Sequence, residues 1–147
     1  MTEPLRDFRH SLPMELLRAR EAAMARFRPV LREHGLTEQQ WRVIRVLADN
    51  EGIDASEVAA RSYLLAPSLT RILQFLEKED LVVRTADRND QRRSVLKLTR
   101  KGRKVFDRVG PDSEQRYEEI EAEFGRERLE QLYALLADFY TTLDSNL

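Results

Sequence analysis

Apolar residues recur along most of this chain at intervals of three and four, and give way to short continuous apolar runs at residues 81–83 and 95–98. The first helical stretch carries Leu16, Ala19, Ala23, Phe27, Val30 and Leu31. Ser11 stands where it can cap that helix, and Pro13 falls in the first turn, where a missing N–H costs nothing. The pattern predicts a long first helix to about Glu33, ended by Gly35. Thr37 followed three residues later by Gln40 is a capping-box signature, and Trp41, Ile44, Val46, Leu47 and Ala48 extend a second helix to Asn50. Asp54 or Ala55 opens a short third helix, and the turn "RSYLLAP" leads into a fourth that carries Leu69, Ile72, Leu73 and Leu76.

Two short helices joined by a tight turn form a helix-turn-helix arrangement, although the same periodicity suits any helical hairpin. The segment after the fourth helix narrows the choice. Residues 81–84 and 95–98 read as two antiparallel strands, and the charged loop between them has Asp87, Asn89 and Asp90 to hydrogen-bond its own backbone. Thr99 caps a further helix, "RKGRKVFDRV", whose basic first turn opposes the helix dipole. Gly110-Pro111 predicts a kink or break before an acidic helix over residues 113–124. After Gly125 a last helix carries Leu129, Leu132, Tyr133, Leu136, Phe139, Tyr140 and Leu143, a stripe that either packs on the first helix or joins a homodimer, and we expect the latter.

Charge changes the picture. The formal net charge is only −1, yet residues 61–104 hold twelve Lys/Arg against five acids, a surplus of seven positive charges. Residues 105–147 hold four against eleven, and residues 1–60 nine against ten. A local positive field next to a helix and a hairpin tip suits double-stranded DNA, because each neutralised phosphate releases counterions. Taken alone, such charge runs also describe solvated helix faces.

With 147 residues, one domain is expected. There is no cysteine for a disulfide or thiolate site, and His10 and His34 are about 36 Å apart along the first helix at its rise per residue. No phosphate loop, zincin pattern or nucleophile elbow occurs, so no catalytic residue, metal or cofactor is expected. Without a long apolar segment or signal core, the protein is expected to be cytoplasmic and to make no membrane contact.

The element order, together with "APSLTRILQFLEKEDLVVRTADRNDQRRSVLKLTRKG", resembles the MarR family of winged helix-turn-helix regulators. Asp87, Asp90 and Arg92 match that family's wing pattern, and Thr99 and Gly102 the segment after it; Asp80 departs from it, standing where a glycine is usual. "SLPMELLRAREAAMARFRPVLREHGLTEQQWRVIRVL" further resembles the HpaR/HpcR subgroup, regulators of homoprotocatechuate (4-hydroxyphenylacetate) degradation operons. The resemblance implies a mainly α fold with a small β-hairpin wing. Residues 36–104 would form the DNA-binding lobe and residues 1–35 and 105–147 the dimerisation helices.

It also implies roles. Ser68, Thr70 and Arg71, with Gln74 one turn on, would face the major groove of operator DNA. Arg92, steadied by Asp90, would enter the minor groove, while Arg88 and Arg93 would meet phosphates, with Arg61, Lys97, Arg100 and Lys101 as further backbone contacts. A small aromatic carboxylate effector is implied, with Ser11, Arg18, Trp41 and Arg45 as candidate ligands; Trp41 equally suits a core and the arginines a surface or dimer interface. Other open readings are a MarR-like regulator of different genes and a winged-helix interaction module that does not bind DNA.

Overall fold

The structure is a computed structural model that describes residues 2–144. Among these a 3-10 turn, Phe8–His10, precedes α1 (Leu12–Glu33), α2 (Glu38–Asp49), α3 (Ala55–Ser62) and α4 (Ala66–Lys78). The strands β1 (Val82–Ala86) and β2 (Ser94–Leu98) follow, then α5 (Arg100–Phe124) and α6 (Arg126–Leu143). The chain divides into two compact units, Met1–Pro111 and Asp112–Leu147. The mainly α architecture with one antiparallel hairpin is that of a winged helix-turn-helix.

Local chemistry sets the helix starts. The Ser11 hydroxyl accepts the Met14 N–H at 3.4 Å, and Thr37 and Gln40 complete their reciprocal box at 3.1 and 3.0 Å. Asp54 caps α3 by accepting from Glu57 N–H at 2.8 Å. Of the kink or break expected at Gly110-Pro111, a break is absent: α5 runs as one helix from Arg100 to Phe124. A proline there removes only the bond to the Asp107 carbonyl, and because Asp107 and Pro111 are both exposed, water can satisfy that carbonyl.

The core of the first unit gathers Val43, Ile44 and Leu47 from α2, Val58 from α3, and Leu69, Leu73 and Leu76 from α4. Leu81, Val82 and Leu96 cover it from the hairpin side and Val109 from α5. Trp41 belongs to this core. Its ring stacks on Phe106 at 5.8 Å, and Arg103 lies over the Phe106 ring at 5.5 Å while donating to the Ala48 carbonyl at 3.3 Å.

The hairpin is shifted from the sequence expectation. Pairing runs from Val82↔Leu98 to Ala86↔Ser94, so exposed Thr85 and Ala86 join the ladder and Leu81 lies before it. Leu81 is needed elsewhere. Asp80 takes a left-handed conformation, φ 59°, which lets the Leu81 N–H return to the Leu76 carbonyl at 2.8 Å and buries the leucine. The Thr99 hydroxyl donates to the Asp80 carbonyl at 2.6 Å and accepts from the Gly102 N–H at 2.9 Å, while Lys101 Nζ donates to the Glu79 carbonyl at 2.9 Å. The start of α5 is thereby fastened to the end of α4.

On the other side, Arg20 pairs with Glu38 at 3.0 Å, and Arg28 grips Glu21 at 2.7 and 3.0 Å and reaches Glu38 at 3.5 Å. The pairs tie α1 to the first turn of α2, where a carboxylate also suits the helix dipole.

Both junctions are open to test. A Cβ at Gly102 would collide with the Leu81 carbonyl oxygen and lie 3.3 Å from Leu98 Cδ2. Gly102→Ala is therefore expected to cost about 2 kcal/mol, several degrees in a thermal melt. Hydrogen bonding from Arg28 holds the Glu21 carboxyl below its ordinary value of 4.5. A folded pKa below the unfolded one contributes stability that is present above pH 4.5 and lost as pH falls through the folded value. Urea titrations from about pH 6 to about pH 3 should show this loss in the wild type and a shallower one in Glu21→Gln.

Candidate nucleic-acid interface

Helix α4 shows two faces. Leu69, Leu73 and Leu76 are buried, with Ile72 and Phe75 half-buried beside them, and this spacing leaves Thr70, Arg71 and Gln74 outside and Ser68 half-exposed. The Thr70 hydroxyl donates to the Ala66 carbonyl at 2.9 Å, which leaves its oxygen as an acceptor toward solvent. The Arg71 side chain has no hydrogen bond or ion pair among the described residues. At the head of α4 no side chain caps the helix, so its first free N–H groups point outward with the positive end of the dipole. Ser68 and Arg71 line one side of a shallow groove whose other side is Thr37, Gln39 and Gln40 at the start of α2.

The wing loop, residues 87–93, is closed by its own carboxylates. Asp87 accepts from the Asn89 N–H and Asp90 from the Arg92 N–H, each at 3.0 Å, and the Asp87 N–H donates to the Arg93 carbonyl at 2.8 Å. Asp90 therefore steadies the Arg92 backbone, and the exposed guanidinium is left without an ion pair among the described residues. Arg88 is exposed and, among the described residues, unpaired in the same way.

Arg93 is placed differently from its neighbours. Its Nε meets Asp54 Oδ2 at 2.9 Å, and one terminal nitrogen lies 3.9 Å from Asp87. Since Asp54 Oδ1 caps α3, a single carboxylate links the helix-turn-helix to the wing. Beside it, Gly52 and Ile53 add a short bridge to the sheet: Leu96 N–H donates to the Ile53 carbonyl at 2.8 Å, and Gly52 N–H to the Leu96 carbonyl at 3.2 Å. Arg84 adds a third tie, to Glu77 of α4 at 3.2 Å. The sequence showed Asp54 as a helix opener; its second role was missed, because the partner lies 39 positions along and only the fold brings them together.

The remaining backbone-contact candidates separate too. Arg61 is held by Glu57 and Asn50 and Lys101 by the end of α4, whereas Arg100 and Lys97 are exposed without such partners among the described residues. An exposed helix face and a stiffened loop result, each presenting arginines with no internal partner among the described residues, the arrangement that attracts a polyanion.

The four candidate effector residues do not converge in the two depressions described in this unit, which are lined by other side chains. Ser11 is the α1 cap, Arg18 pairs with Glu15 at 3.1 Å, Trp41 is a core residue, and Arg45 is exposed one turn after Trp41 on α2. Among the described residues no group of three or more His, Cys, Asp or Glu side chains is arranged to hold a metal, and no helix is long and apolar enough to cross a membrane.

Comparison with known proteins agrees with this geometry. A profile of the MarR family matches residues 34–93. The chain is 45% identical over 129 residues to the homoprotocatechuate degradative operon repressor of Escherichia coli, covering 88% of this chain and 87% of that one. Among solved structures, NadR in complex with 4-hydroxyphenylacetate superposes with a TM-score of 0.78 at 44% identity, over 93% of this chain and 97% of that one. The repressor CouR bound to a 23-mer DNA duplex gives 0.81 at 28% identity, over 93% and 99%.

The double role of Asp54 yields a separable prediction. Asp54→Asn keeps a cap acceptor but loses the Arg93 ion pair, so stability should stay within about 0.5 kcal/mol of wild type while duplex affinity falls. Asp54→Ala should lose about 1 kcal/mol of stability as well. Thermal melts and fluorescence-anisotropy DNA titrations of the two variants read the difference.

Proposed function

The chain belongs to the MarR family, and from that premise we propose a homodimeric repressor of an aromatic-acid catabolic operon, released from its operator by a small aromatic carboxylate. MarR-family proteins are DNA-binding transcription regulators, not enzymes. The observation that carries the reading is the pairing of an uncapped, arginine-bearing α4 with a wing whose Arg88 and Arg92 have no partner among the described residues.

Each subunit inserts α4 into a major groove, with Ser68, Thr70, Arg71 and Gln74 toward base edges and phosphates. The wing reaches the flanking minor groove, where Arg92 reads a narrow, strongly negative groove and Arg88 meets phosphate. The likeness to a DNA-bound repressor supports this docking. Arg93 contributes by holding the wing to α3, and its charge adds to the field around the loop. A second copy supports the operator geometry: exposed Leu12, Leu16 and Leu17 on α1 and Leu132, Leu135, Tyr140 and Leu143 on α6 are apolar faces that association would cover. In this reading residues 36–104 form the DNA lobe and the terminal helices the dimer, and the protein works in the cytoplasm, where its operator lies.

The effector proposal rests on the 45% identical homoprotocatechuate repressor and on NadR holding 4-hydroxyphenylacetate. The four candidate residues do not together line either depression described within a subunit, so in this reading dimerisation completes the site, with Arg45 and Arg18 as cations for a carboxylate, Ser11 a hydroxyl and the edge of Trp41 an aromatic wall. The ligand acts by binding one spacing of the two DNA lobes better than the other, and its differential affinity sets how far the operator complex is weakened.

Arg92→Ala and Arg71→Ala should each weaken operator binding about tenfold or more, and Arg88→Ala should lower the slope of log K against log salt by about 1. Undiminished affinity in both of the first two variants would falsify the DNA face. Saturating 4-hydroxyphenylacetate should raise the melting temperature of the dimer and release it from the duplex, and Arg45→Ala should abolish both effects; a wild type that shows neither effect contradicts the effector assignment alone.

A further inference from the structure

The turn between α3 and α4 carries three features that work against the stability of the isolated protein. Tyr63 adopts a left-handed conformation, φ 54°, where glycine or asparagine is less strained, and the residue is 77% exposed. Leu65 occupies the N-cap of α4, where a polar side chain is strongly preferred, and makes no cap bond. It is also 78% exposed, unlike the buried leucines of α4. The backbone of the turn is held, by Leu64 N–H on the Ala59 carbonyl at 3.0 Å and by Arg42 Nη1 on the Ser62 carbonyl at 2.9 Å, but the Tyr63 and Leu65 side chains make no hydrogen bond among the described residues and flank half-buried Leu64 at the very start of α4.

The chemistry of that location selects one occupant. The N-terminal residues of a recognition helix are the ones that approach base edges, and the apolar group on the major-groove edge is the C5 methyl of thymine. A branched aliphatic side chain one position before Ala66 suits that methyl, whereas the surrounding Ser68, Thr70 and Arg71 suit phosphates and polar edges. We propose that Leu65 is a specificity-determining residue that packs on a thymine methyl of the operator, with Tyr63 shielding the contact from water. The proposal rests on the DNA-binding reading above and adds to it a sequence preference: a T·A pair at the edge of each major-groove half-site.

The test uses the full chain and a duplex enriched by it from random-sequence DNA. Each thymine of that duplex is replaced singly by deoxyuridine, which removes the methyl and leaves the hydrogen-bonding edge intact. One thymine per half-site should matter: its replacement should weaken wild-type binding about fourfold, the value of one buried methyl (about 0.8 kcal/mol). Leu65→Ala should melt at the wild-type temperature, bind the thymine duplex at least about fourfold more weakly, and be indifferent to the same replacement. Tyr63→Gly should melt higher than wild type and bind the thymine duplex more weakly. A wild type insensitive to every deoxyuridine, or a Leu65→Ala variant that keeps full affinity or full methyl sensitivity, overturns the proposal and points to a protein partner for this turn. If no duplex is enriched at all, the DNA-binding reading itself falls; an enriched duplex without a methyl effect removes only the role of Leu65.

Discussion

The DNA-facing lobe depends on one carboxylate. Asp54 offers one oxygen to the Glu57 N–H, starting α3, and the other to Arg93, holding the wing loop. Neither bond is strong alone: a cap contributes about 1 kcal/mol and an exposed ion pair less. Their value lies in sharing one side chain. A two-stranded hairpin is marginal in isolation, and this one gains rigidity from Asp54, from the bridge between Ile53 and Leu96, and from the Arg84–Glu77 pair. A wing fixed relative to α3 is fixed relative to α4, since α3 and α4 share the core through Val58, Leu69 and Leu73.

A similar division of roles governs the electrostatics. The surplus of seven positive charges between residues 61 and 104 is not uniformly available to a ligand. Arg61, Arg84, Arg93 and Lys101 are tied to internal partners and hold elements together. Arg71, Arg88, Arg92 and Arg100 have no such partner among the described residues. One set holds the elements together, and the other is the set the proposed docking assigns to phosphate and groove. A cation already held by an internal partner gains less from a phosphate than an unpaired one, so in that docking the unpaired set is expected to carry more of the binding.

Much of this was legible in the chain. Caps at Ser11, Thr37 and Asp54 and the 3-and-4 spacing of Leu69, Ile72, Leu73 and Leu76 located four helices because those signals are local. The same periodicity separated the buried from the exposed face of α4, while the DNA-facing role of Ser68, Thr70, Arg71 and Gln74 came from the family resemblance. The strand limits at 81–84 missed because Leu81 is apolar for a different reason, filling the junction after left-handed Asp80. Gly110-Pro111 was read as a kink or break, and the helix does not break there, because an exposed proline inside a long helix costs one bond that water replaces. The roles of Arg93 and Lys101 were not legible: both depend on partners brought together by the fold, and a charged residue in a sequence carries no mark of whether its charge will be shared. For the candidate effector residues the sequence offered two readings, and at Trp41 the core reading is the one the packing shows.

A dimethyl-sulfate footprint of the protein on its enriched duplex tests the central claim most directly, because methylation of guanine N7 reads the major groove and of adenine N3 the minor groove in a single pattern. The account predicts two protected half-sites about one helical turn apart, each flanked by a protected minor-groove segment, with the flanking protection alone lost in Arg92→Ala. Protection confined to a single groove, or flanking protection that survives Arg92→Ala unchanged, would contradict it.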